Sequence, residues 1–180
     1  MPLFHFSENP DIEKFVPRAP LRHPEAEPMV WAIDAWHSPL YFLPSNCPRV
    51  CFWPLPPTTE EDKARFWPDD STRMVIAVES GWSERIASAN LYRYEFDGAD
   101  FIDCEDHGVF VSRSTVVPLS VEPVGPCFAA LEAASVEVRL CPSLVGLANQ
   151  MMQTTLHWSL IRMSFAQGWE KAKGSPTVPR

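Results

Sequence analysis

Proline sets the grain of this chain. Nineteen are scattered through its 180 residues, and each fixes φ and removes a backbone donor, so the regular elements between them are held short. They are not gathered into one low-complexity tract, and no repeat or linker divides the sequence. This predicts a single domain over residues 1–170, followed by a polar, flexible tail from Lys171 to Arg180. A chain of that length can bury one core without disulfide or metal support. An apolar share of 46%, with seven Trp and eleven Phe, supplies the drive to collapse.

Periodicity places the elements. Leu3–Ser7 alternates as a strand that puts Leu3, His5 and Ser7 on one side and Phe4 and Phe6 on the other. The proline-rich stretch from Glu8 to Pro28 reads as a long surface loop with one helical turn near Ile12–Phe15. Met29–Ile33 is a short apolar strand, and Asp34 is placed to cap a short helix through Pro39–Phe42. Pro48–Leu55 is a strand, Thr58–Trp67 a capped, acid-first helix, and the apolar run Arg73–Glu79 a central strand. Gly81–Ala89 is predicted helical, and Asn90–Phe96, Val109–Val111 and Val116–Val124 are predicted strands. Cys127–Ala134 is predicted helical and Val136–Leu140 a strand. Leu144, Leu147, Met151, Thr155 and Trp158 recur at helical spacing, so a long core-packing helix is expected from Pro142 toward Phe165, carrying His157.

Charge and cysteine content exclude several functions. A net charge of −8 argues against a nucleic-acid backbone as partner, although a few arginines can still hold a diphosphate. No apolar run approaches a membrane span, and the N-terminus carries neither a basic n-region nor an apolar h-region. A cytoplasmic protein with five reduced cysteines is therefore expected. Cys47 and Cys51 are the one close pair, without two further ligands at zinc spacing. No G-x-S-x-G elbow or glycine-rich phosphate loop is present.

The remaining candidates lie at strand ends and loops, where functional residues concentrate. His5 can donate to a ribose hydroxyl and Ser7 can add a second hydrogen bond. Trp31 and Tyr41 offer aromatic faces for a purine or nicotinamide ring, and Arg18, Arg49 and Arg113 can reach a diphosphate.

The segments Leu3–Glu8 (L-F-H-F-S-E), Val30–Asp34 (V-W-A-I-D), Cys47–Val50, Val111–Pro118 (V-S-R-x-x-V-x-P) and Arg162–Ala166 resemble those of an uncharacterised bacterial family, in that order and over nearly the whole chain. Leu3–Ser7 and Val30–Ile33 are also distantly similar to the opening L-Y-H-x-T and G-I-Y-F-A-like strands of the ADP-ribosyltransferase-like fold. That resemblance implies an ADP-containing ligand, with His5 on the ribose, Trp31 or Tyr41 stacking, and Val109–Arg113 as the strand that bears the catalytic glutamate. No glutamate stands there, and Glu105 and Glu122 flank it as possible substitutes for the carboxylate that stabilises an oxocarbenium-like state.

The expectation is therefore an α+β domain with a split or strongly bent mixed sheet and peripheral helices, binding ADP, ADP-ribose or NAD without a metal. The catalytic candidates are His5, Glu105 and Glu122; the ligand-binding candidates are His5, Ser7, Arg18, Trp31, Tyr41, Arg49 and Arg113. A non-enzymatic interaction module with a Trp-rich surface is the alternative.

Overall fold

The computed structural model describes residues 1–19 and 24–169, so the tail expected from Lys171 to Arg180 lies outside the described residues. The α+β class holds. Two sheets are present, and the chain divides into two compact units, each assembled from two separate stretches: Met1–Ser45 with Ala89–Cys127, and Asn46–Ser88 with the chain from Phe128 onward.

The first unit is built on strands β1 (Pro2–Ser7), β2 (Val30–Ile33), β5 (Tyr92–Asp97), β6 (Ile102–Asp106), β7 (Val109–Ser112) and β8 (Ser120–Pro123). They lie in the order β6-β7-β2-β1-β5-β8, with every pairing antiparallel. Alternation along β1 does what the sequence predicts. Leu3 faces the core with Val30, Ala32, Tyr94, Phe96 and Val116, and Ile12, Phe15 and Phe101 close over that side. Phe15 forms an isolated antiparallel bridge with Val116, so the segment expected as a helical turn is extended; its apolar residues gain more from covering the sheet than from a single unsupported turn. Tyr94, fully buried, pins the same loop: its hydroxyl donates to the Asn9 carbonyl at 2.6 Å and accepts from the Ile12 N–H at 3.1 Å.

Strand β6 was not anticipated. Its sequence Ile-Asp-Cys-Glu-Asp is poor in strand formers, and every residue is exposed at the sheet edge, where β7 supplies the pairing that propensity does not. The edge is bulged between Asp103 and Asp106, with Glu105 at φ 55°; an acidic, irregular edge of this kind resists pairing with another chain.

The second unit carries β3 (Arg49–Trp53), β4 (Met74–Glu79), β9 (Val136–Cys141) and β10 (His157–Ile161) in the order β10-β3-β4-β9, with only β4 and β9 parallel. β4 is buried along its whole length, as its unbroken apolar run requires of an interior strand. The predicted helix appears as α1 (Glu60–Phe66), where the Thr59 side chain accepts from the Asp62 N–H and acidic residues fill the first turn. The helices α2 (Ser83–Ser88) and α3 (Cys127–Ala133) also fall where the periodicity put them.

The long helix expected from Pro142 toward Phe165 is not formed. Helix α4 covers Val145–Met151 and buries Ala148 and Met151, after which the chain turns and returns as β10, carrying His157 on a strand. Two features stop the helix. Thr155 gives both its N–H (2.7 Å) and its hydroxyl (2.6 Å) to the Asp62 carboxylate, and His157–Ile161 alternates, so that Trp158 and Leu160 both pack on the core. The spacing Met151, Thr155, Trp158 matched a helical period by coincidence, because two threonines favour the turn and the strand over helix continuation.

Candidate functional site

The six-stranded sheet separates residues that the sequence reading had gathered. In the β1–β5 register His5 stands opposite Tyr94 and Leu3 opposite Phe96, so His5 belongs to the core side, and its ring lies 4.8 Å from that of Phe15. Trp31 alternates with the buried Val30 and Ala32 and faces the other way. His5 meets Trp31 only through the backbone: its Nδ1 donates to the Trp31 carbonyl at 3.0 Å, which fixes the proton on Nδ1 in the neutral ring. Burial holds the imidazole below its ordinary value of 6.5, against the smaller opposing effect of that hydrogen bond.

This contact sits at a seam. β1 and β2 share the single register pair Phe4–Ile33, whereas β1 and β5 share six. Next to that pair, the His5 side chain engages the carbonyl of Trp31.

The opposite face is aromatic, with Trp31 exposed on it and Phe4, Ile33 and Val111 buried. Phe4 pairs with Ile33 on it, and Val111 stands across from Trp31. Phe6 follows Phe4 by alternation, and Tyr41, on a 3-10 turn over Ser38–Tyr41, stacks on Phe6 with ring centres 6.4 Å apart and planes 6° from parallel. Trp31 is 46% exposed although β2 is an interior strand. Arg93 lies over the Phe4 ring at 5.2 Å, and its Nη2 donates to Glu122 at 2.5 Å. Trp31, Tyr41 and Glu122 thus share one face, and His5 and Ser7 the other.

The other candidates are dispersed. Ser7 Oγ accepts from the Asn9 N–H at 3.1 Å and shapes the exit from β1. Exposed Arg18 exchanges backbone hydrogen bonds with Met29. Arg113 donates twice to the Glu27 carboxylate, at 2.6 and 3.1 Å, and this pairing holds Glu27 below the usual carboxylate range. Glu105 lies in the bulge of edge strand β6. Arg49 belongs to the second unit, where it is 2% exposed and donates to the Cys47 carbonyl at 3.0 Å. All five cysteines are free, and burial pushes the Cys51 thiol up to about 12, which makes it inert as a nucleophile. Among the described residues, no three His, Cys, Asp or Glu side chains are grouped to hold a metal ion.

Sequence reasoning missed one constellation. Where β2 ends, Asp34 Oδ1 accepts both the His37 backbone N–H at 2.7 Å and the His37 Nδ1–H at 2.9 Å. The turn of the β6–β7 hairpin, His107-Gly108, has positive φ at both residues and packs on this pair. The Gly108 carbonyl accepts from the Asp34 N–H at 2.9 Å, and a Cβ on Gly108 would fall 2.1 Å from His37 Nδ1 and 2.6 Å from Asp34 Oδ2. The Trp36 ring stands edge-on to His37 at 4.5 Å. The legible signal was D-x-x-H directly after a strand, together with a distant H-G pair fit for a tight turn.

No helix among the described residues is long and apolar enough to cross a membrane. No curated protein and no solved structure matches the chain. Residues 4–166 match a family of unknown function, DUF6886, and the chain belongs to that family.

Proposed function

We propose that the chain binds an adenine nucleotide, such as ADP, ADP-ribose or NAD, on the Trp31 face of the six-stranded sheet, with the base against Trp31. The observation that carries this reading is the exposure of that indole. Leaving a large aromatic at 46% exposure on an interior strand, across from Val111, keeps a flat apolar surface in water. Base–aromatic stacking contributes about 1–3 kcal/mol per base, and the sugar and phosphate contacts supply the rest of the affinity.

Arg93 lies on the same face and can supply positive charge for a diphosphate. Its exposed pair with Glu122 is worth about 0–1 kcal/mol, so exchanging that carboxylate for a phosphate costs little. The ADP-containing ligand is what the distant sequence resemblance of Leu3–Ser7 and Val30–Ile33 to the ADP-ribosyltransferase-like fold implies. With NAD bound there, Glu122 and Glu95 are carboxylates on the platform's face, and ADP-ribosyl transfer or NAD cleavage follows as the enzymatic form of the proposal. Five free thiols suit a reducing, cytoplasmic setting.

Thermal-shift titration with ADP, NAD and ADP-ribose tests the proposal: stabilisation should grow with ligand concentration by mass action, and a flat response to all three would refute it. Release of nicotinamide from NAD then separates an enzyme from a binder. A second reading, a protein-interaction module, is favoured by Val117, Leu119 and Val121, which are 66%, 67% and 45% exposed in a row along edge strand β8 and its approach.

A further inference from the structure

The six-stranded sheet consists of two three-stranded halves, β6-β7-β2 and β1-β5-β8, joined along β1 and β2. An unbroken ladder would run from Phe4–Ile33 on to His5–Ala32 and Phe6–Trp31, but β1 and β2 share the Phe4–Ile33 pair alone. Beyond it the Trp31 carbonyl, which a β1 N–H would take in a regular sheet, accepts instead from His5 Nδ1 at 3.0 Å. A side chain closes the seam where the backbone leaves it. Because the acceptor is a carbonyl, the neutral ring carries its proton on Nδ1, and a second proton can go only to Nε2.

The surroundings disfavour that charge. The Phe15 ring stands against the imidazole, and Leu3, Ala32 and Val116 belong to the same apolar cluster. Tyr94, opposite on β5, is the titratable group that faces His5, and its hydroxyl is held between Asn9 and Ile12. Register puts the Asp103 carboxylate on this side of the sheet, but three strands away on β6, on the order of 14 Å. Glu13 and Lys14, next to Phe15 in the covering loop, are exposed. Burial outweighs the hydrogen bond in setting the basicity of the ring, and no charged neighbour shifts it. The residue as a whole is only partly buried, so solvent protons reach it.

We propose that His5 is a latch on this seam, closed while its ring is neutral and released when the ring takes up a proton, so that acid loosens β2, with Trp31, from β1. Opening hydrates the ring and lets it charge near its ordinary value. Each opening therefore takes up a proton over the range between 6.5 and the lower value of the closed state. The latch operates with or without a ligand on the sheet.

Hydrogen exchange of the native protein, corrected for intrinsic rates and followed downward from above pH 6.5, tests it. The opening of Val30–Ile33 should rise by up to about tenfold per pH unit, the effect of one proton, and level off at the titration point of the His5 ring read from its own proton–nitrogen signals. The opening of Tyr92–Asp97, across the six-pair β1–β5 ladder, should stay flat. His5→Gln can give Trp31 the same hydrogen bond without titrating, and should remove the pH dependence. A flat response in β2, an equal rise in β5, or a rise unchanged in His5→Gln would overturn the inference. So would a His5 ring that titrates at or above 6.5 in the native protein, a result that needs no variant.

Discussion

Replacing Gly108 by alanine should cost far more than the same change at a second glycine with nearly the same backbone. Gly108 sits at φ +81° and Gly125 at φ +85°, so alanine meets the same left-handed strain at both, about 1–2 kcal/mol. Their surroundings differ. Nothing lies within 4 Å of a Cβ at Gly125, whereas at Gly108 it would fall 2.1 Å from His37 Nδ1 and 2.6 Å from Asp34 Oδ2. Relieving that overlap requires the Asp34–His37 hydrogen bond to open, and losing a hydrogen bond to a charged group adds about 1.5–3 kcal/mol. Urea unfolding should therefore place Gly108→Ala about 2.5–5 kcal/mol below the native protein and Gly125→Ala about 1–2 kcal/mol below it. In the double variant Gly108→Ala/His37→Ala the overlap with the ring is gone, and part of the Gly108 cost should return as a favourable coupling. Equal losses for the two single glycine variants would refute the packing of the hairpin turn on the pair.

Tyr94→Phe removes a hydroxyl that serves both Asn9 and Ile12 and should lower stability by about 1–2 kcal/mol, read as a shift in urea midpoint with unchanged slope; an unmoved midpoint would contradict the anchoring of the loop. Burial depresses His5 below 6.5, so the folded state holds fewer protons than the unfolded chain in that range. Stability should be full above 6.5 and fall as pH drops from there through the folded value, and His5→Gln should flatten this slope in unfolding titrations. Hydrogen bonds from the Thr155 side chain and backbone hold Asp62 below its ordinary 3.8, so its contribution is present above that pH and lost as the folded value is crossed in acid. Asp62→Asn should make the acid limb shallower, and an identical limb would show that the Thr155 contacts do not persist in solution.

Residues with one strong local cause were readable in advance. β1, β4 and α1 follow from alternation, an unbroken apolar run and a threonine cap, and each forms near its expected position. The failures come from distant contacts. The helix expected to reach Phe165 ends at Met151 because Asp62, some ninety residues earlier, engages Thr155 and because β3 offers a partner for His157–Ile161. β6 forms although its own residues disfavour it, since pairing with β7 supplies the energy. In the site, Trp31 and Tyr41 do share a face, but His5 does not join them. Its side was legible from alternation within β1; the side of Trp31 relative to it depends on the register Phe4–Ile33, which no local signal encodes. Arg49 looked like a strand-end arginine and is instead a buried one in the second unit.

The most direct test follows the indole N–H signals of the seven tryptophans during titration with ADP, assigned by single Trp→Phe substitutions. The Trp31 signal should move and saturate with the binding curve. Trp31→Ala should weaken affinity by about 1–3 kcal/mol, and His5→Ala should leave affinity unchanged. A saturable shift confined to other indoles, or a Trp31→Ala protein that binds ADP as tightly as the native one, would contradict the assignment of the Trp31 face of the sheet as the nucleotide platform.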